Sequence, residues 1–108
     1  MVERGVDGPS PIPAERWRGQ VTDFNVGSEN QSEVWRFTLM NDDVNPKVYV
    51  KVKMGGGTWL PKRFFHGPQP SVSERFEIIE GKWENSQVEA DRIRNLVTGA
   101  ETWVSLWP

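Results

Sequence analysis

From residue 16 onward, apolar and polar residues alternate in short runs separated by turn-forming clusters, the period-two pattern of half-buried strands. The first run places Trp17, Gly19 and Val21 on one face, then changes phase to bring in Phe24 and Val26. A bulge near Thr22 and Asp23 would produce that slip. Residues 27–32 are polar and predict a hairpin loop, after which Trp35, Phe37 and Leu39 share one face of a second strand, with Val34, Arg36, Thr38 and Met40 on the other. Residues 41–46 predict a turn. The third run is the most regular: Val48, Val50 and Val52 point inward, and Lys47, Tyr49, Lys51 and Lys53 outward. Three glycines at 55–57 end it and read as a flexible strand exit, leading into a loop expected over residues 55–74. Residues 75–80 predict a fourth strand that ends at Gly81, Lys82 and Trp83, and residues 84–86 a tight turn. The fifth strand, residues 87–96, slips phase between Ala90 and Ile93. Trp17, Trp35, Phe37 and Phe76 are the expected large core residues.

This pattern predicts an all-β fold, a small five-stranded Greek-key barrel with a bent first strand, a long insertion after the third and a closing hairpin. Residues 1–15, rich in Gly and Pro, read as a flexible N-terminal leader, residues 16–101 as the barrel, and residues 102–108 as an apolar C-terminal tail. The closing hairpin carries Phe76, Ile78 and Ile79, then Gly81, Lys82 and Trp83, a short turn, and Val88, Ala90 and Ile93. In this it resembles the last hairpin of single-stranded-DNA-binding OB-fold domains of the replication protein A and archaeal type. The resemblance covers roughly residues 16–100 and implies an OB-like barrel binding single-stranded nucleic acid, DNA rather than RNA. The helix usual between the third and fourth strands of that family is replaced here by a Gly/Pro-rich segment.

Composition narrows the chemistry. The 108 residues contain no Cys and one His, so thiolate metal sites and cysteine nucleophiles are excluded and metal ligation is poorly served. No phosphate loop, nucleophile elbow or paired-His motif is present, so neither catalysis nor a cofactor is expected. Apolar stretches are far shorter than the roughly 18 residues of a membrane span, and the chain is expected to be cytoplasmic with no membrane partner. Thirteen cations against fifteen acids give a net charge of −2, yet Val44 to Ser73 holds five cations and no acid. That asymmetry matters more than the total.

Single-stranded nucleic acid requires cations for phosphates and flat side chains for bases. Arg36, Lys47, Lys51, Lys53, Lys62 and Arg63 are the expected phosphate contacts, and Tyr49, Trp59, Phe65 and Trp83 the expected stacking platforms. Blander roles stand beside these. Alternating lysines also make a solvated strand face, and Trp59, Phe64 and Phe65 also suit packing beneath the loop in place of the absent helix. Arg92 and Arg94 are expected to pair with Glu89 or Asp91. The tail supports a rival from another class, an OB-like protein-interaction or self-association module anchored by Trp103, Leu106 and Trp107, unless the tail lies back on the barrel as an added strand.

Overall fold

A computed structural model describes Ala14, residues 17–41, Asp43, residues 46–57 and residues 62–107. Seven strands are present: β1 (Arg18–Glu29), β2 (Ser32–Asn41), β3 (Val48–Gly55), β4 (Phe64–His66), β5 (Arg75–Glu84), β6 (Gln87–Asn95) and β7 (Glu101–Ser105). Five of them close a mixed barrel. β1 pairs antiparallel with β2 and with β5, β2 with β3, and β5 with β6, while β3 and β6 join in parallel to complete the circuit. β7 adds to β6 outside this circuit, and β4 adds to β7. The all-β barrel expected from the alternation is therefore present, extended by two strands.

Closing the barrel bends β1. Its first residues, Arg18 to Gln20, pair with β5, and the register against β2 then shifts between Val21 and Asp23, where the phase slip of the sequence lies. Beyond that bulge β1 follows β2 alone. Gly19 is buried at the crowded part of the bend, where a Cβ would collide with the Met40 carbonyl. β5 and β6 carry compensating irregularities around Glu80, which explains the slip between Ala90 and Ile93.

Trp17, Val21, Trp35, Phe37, Leu39, Val50, Val52, Met54, Phe76, Ile78, Val88, Ala90 and Ile93 fill the barrel together with Ala14. Burial of each large apolar side chain contributes about 1.5–3 kcal/mol. Ala14 was expected in the leader, but it is buried and its carbonyl accepts from the Trp17 N–H. Residues 1–13 lie outside the described residues. Val26, expected with the inward set, is exposed, because the outer half of β1 projects past the core with β2.

Three connections differ from expectation. The polar run at 27–32 stays in the ladder and only Asn30 and Gln31 form the turn, both at positive φ, as a two-residue hairpin of matched twist requires. Residues 55–57 are not a loose exit: Gly55 and Gly56 are buried at φ of 79° and 67°, folded over β2. A Cβ on Gly55 would lie 2.6 Å from Phe65 Cζ and 2.7 Å from the Glu33 carbonyl oxygen. The tail leaves β6 through a turn in which Asn95 Oδ1 accepts from the Val97 and Thr98 N–H groups, and it returns as β7. It is the added strand rather than a free end.

Gly55→Ala is therefore expected to lose more stability than Gly99→Ala. Gly99 has nearly the same φ, 80°, but nothing within 4 Å of its would-be Cβ, so its substitution costs only backbone strain of about 1–2 kcal/mol. The Gly55 variant should lose about 1–3 kcal/mol more from crowding, measured by urea unfolding. Equal losses would show that the Phe65 ring does not pack on this turn.

Candidate nucleic-acid interface

Strand alternation sets the outer face of β1, β2 and β3 in rows. Asn25, Arg36 and Lys53 are register partners across the three strands, as are Asp23, Thr38 and Lys51, with Met40 and Tyr49 one step further along β2 and β3. The parallel closure places Gln87 opposite Lys51. A groove of about 490 Å³ crosses this surface, lined by Asp23, Asn25, Arg36, Thr38, Lys51 and Gln87, with Phe24 as its partly buried aromatic wall. Thr38 Oγ1 donates to Asp23 Oδ1 at 3.2 Å, which holds that carboxylate on the groove edge.

The expected cations have unequal freedom. Lys51, Lys47 and Lys62 are exposed and, among the described residues, have no ion-pair partner. Arg36 and Lys53 share one carboxylate: Glu29 Oε2 accepts from Arg36 Nη2 and Glu29 Oε1 meets Lys53 Nζ, each at 2.7 Å. The Lys53 side chain is only 14% exposed. Its hydrogen bond, reinforced by the charges of Lys53 and Arg36 against a desolvation penalty, holds the Glu29 carboxyl below the usual glutamate range. Arg63 lines a different cavity of about 310 Å³, with Glu80, Asp91 and the end of β7. The structure therefore gathers Arg36, Lys51 and Lys53 on one face, continues it to Lys47 and Tyr49, and separates Arg63 from the groove.

The expected stacking platforms are largely engaged already. Phe65 lies parallel to Trp35 at 3.8 Å between ring centroids and 9° between planes, and packs against the core. One ring face is thereby covered, which leaves Phe65 a core-packing role. Trp83 meets Trp17 edge to face at 6.4 Å and packs on the core from the β5 side. Tyr49 is 38% exposed on the cationic face. Trp59 lies outside the described residues.

No family model matches the chain, and comparison with curated proteins and with solved structures likewise returned no match.

The remaining charged and aromatic side chains have structural partners. Arg92 pairs with Glu101 at 2.8 Å and Glu80 at 3.6 Å, and Arg94 with Glu77 at 3.5 Å, so their acids come from neighbouring strands and not from the expected Glu89 or Asp91. Lys82 sits 3.8 Å from Glu89. Trp103 is flanked within one cross-strand row by the Arg92 guanidinium, 4.9 Å from its ring, and the His66 ring at 5.4 Å. It is part of the extended sheet, which leaves Leu106, 45% exposed, and Trp107, 78% exposed, as the free apolar part of the tail. His66 Nε2 contacts Ser105 Oγ at 2.8 Å and the Trp107 carbonyl at 3.3 Å. A carbonyl can only accept, so Nε2 carries the hydrogen and the contact ties β4 to the chain end. Among the described residues there is no group of three or more His, Cys, Asp or Glu able to hold a metal.

Asp23, Asn25, Phe24, Gln87 and Glu29 were not among the expected site residues. The alternation about Phe24 carried the signal for Asp23 and Asn25, whereas Gln87 and Glu29 reach the site only through strand closure and the hairpin.

Because folding lowers the Glu29 pKa, its ion pairs stabilise the protein fully above about pH 4.3, the unfolded value, and that contribution is lost as pH falls through the lower folded value. The stability difference between the native chain and Glu29→Gln should shrink as pH is lowered from about 5 toward 3. Urea unfolding across that range checks it, and a constant difference would contradict the charged pairing.

Proposed function

We propose that the chain binds single-stranded nucleic acid without catalysis, along the outer face of β1, β2 and β3. The groove of about 490 Å³ across that face, with the unpaired Lys51 in its lining, carries the proposal. Lys51 and Lys47 take phosphates, Arg36 and Lys53 form a second cationic pair, and Tyr49 offers a flat surface to a base. The strand order supports the same reading. A closed five-stranded barrel is the architecture implied by the OB resemblance. In OB barrels the strand 2 and 3 face and its flanking loops take oligonucleotides. Preference for DNA over RNA rests on the resemblance alone.

A second reading draws on the exposed Leu106 and Trp107, which suit a protein partner or a second copy of the chain. The two readings differ in their response to salt. Apolar contacts of a tail tolerate it, whereas each phosphate contact to a single strand contributes about 0.7 to the slope of log affinity against log salt.

Fluorescence anisotropy of labelled single-stranded DNA and RNA oligomers, titrated with protein at low and moderate salt, is the test. Binding that weakens with salt is expected, and Lys51→Glu, a change at an exposed position, should weaken it by about tenfold or more at low salt. Absence of binding to either polymer at tens of micromolar protein would overturn the reading, and removal of residues 106–108 would then be the next variant to assay for lost association.

A further inference from the structure

Glu29 is the last residue of β1, paired in register with Ser32 across the two-residue turn of Asn30 and Gln31. Its position is built by the chain around it. Asn30 Nδ2 donates to the Gly57 carbonyl at 3.2 Å, which ties the hairpin tip to the glycine turn. The carboxylate lies against that turn, where a Cβ on Gly56 would stand 3.0 Å from Glu29 Oε1 and one on Gly57 3.4 Å. A side chain at Gly56 would crowd it. Held there, each oxygen engages a different cation at 2.7 Å, and 31% of the side chain remains exposed.

A carboxylate bridging two cations presents the same chemistry as a backbone phosphate: two anionic oxygens spaced to accept from both. We propose that Glu29 is an internal competitor for phosphate, occupying Arg36 and Lys53 until a nucleic-acid strand displaces it, and thereby setting the affinity of the groove. The inference rests on the nucleic-acid reading above. Arg36 and Lys53 carry two positive charges against the single negative charge of Glu29, so the carboxylate masks one of them and leaves the other to act with Lys51 and Lys47. Arg36, 47% exposed, and Glu29, 31% exposed, give a phosphate access to the site, and the more buried Lys53 is reached once the carboxylate leaves.

Glu29→Gln keeps the side-chain length and removes the charge. It should raise the affinity for a single-stranded oligonucleotide about tenfold at low salt and steepen the slope of log affinity against log salt by about 0.7, the value for one further neutralised phosphate. Lys53→Gln in the otherwise unchanged chain is the companion variant. It leaves Arg36 and Glu29 to neutralise one another and should lower the slope by about 0.7, whereas the same change added to Glu29→Gln should restore the native slope. Tryptophan emission and thermal unfolding of each variant report whether the barrel is intact. Native protein that binds with salt dependence while Glu29→Gln shows the native slope overturns this inference and leaves the nucleic-acid reading standing. Failure of both proteins to bind overturns the nucleic-acid reading itself. Should Glu29→Gln not fold, Glu29→Ala is read in the same way, a native slope overturning the competitor role and a slope steeper by about 0.7 supporting it.

Discussion

The parallel pairing of β3 with β6 is the contact on which the rest of the molecule depends. Parallel neighbours cannot be joined by a tight turn and need a crossover of a dozen residues or more. Here the crossover consists of the segment after Gly55, β4 and β5, and it must return the chain so that Lys51 to Met54 face Gln87 to Ala90. When that happens Val52, Met54, Val88 and Ala90 meet in the interior and the barrel has a closed core. The same register sets Gln87 beside Lys51 at the surface, which completes one wall of the groove. Core closure and groove formation are two faces of one strand pairing.

A closed barrel also governs how much positive charge reaches solvent. Between Val44 and Ser73 the chain is purely cationic, but closing the sheet brings acids from distant segments alongside. Lys53 meets Glu29 from the first hairpin, and across the closing strands Lys82 meets Glu89, Arg94 meets Glu77 and Arg92 meets both Glu80 and Glu101. Counting residues along the chain thus overstates the field at the surface. Among the described residues, Lys47, just before β3, and Lys51 within it have no such partner and are exposed.

Much of the fold was legible because it is local. The alternation of Val48, Val50 and Val52, the slip at Thr22, and the inward phase of Trp35, Phe37 and Leu39 each depend on neighbours within one strand. What escaped depends on contacts between segments. Phe65 could be placed either in the core or on the surface until the Trp35 ring was found parallel to it, 30 residues away in sequence. The triple glycine carries two opposite meanings, a loose exit or a tight buried bend, and only the proximity of Phe65 and Glu33 decides between them. The return of the tail as β7 had a local signal, since Asn95 followed by Gly99 is the chemistry of a turn that stops one strand and starts another. Glu29 had none, because its two cations come from different strands.

The aromatic inventory constrains how a ligand could be held. Six Trp and five Phe in 108 residues invite a stacking interpretation, but a barrel this small needs large side chains to fill and cap itself. Trp17, Trp35, Phe37 and Phe76 fill it, Phe65 stacks on Trp35, Trp83 covers Trp17, and Trp103 braces the added strands. On the outer face Tyr49 is an exposed ring, whereas Phe24, the register partner of Phe37, packs against Trp35 and Phe37. A strand bound there would be held more by its backbone than by its bases, and an interface of that kind discriminates weakly among sequences, since phosphates carry no base identity.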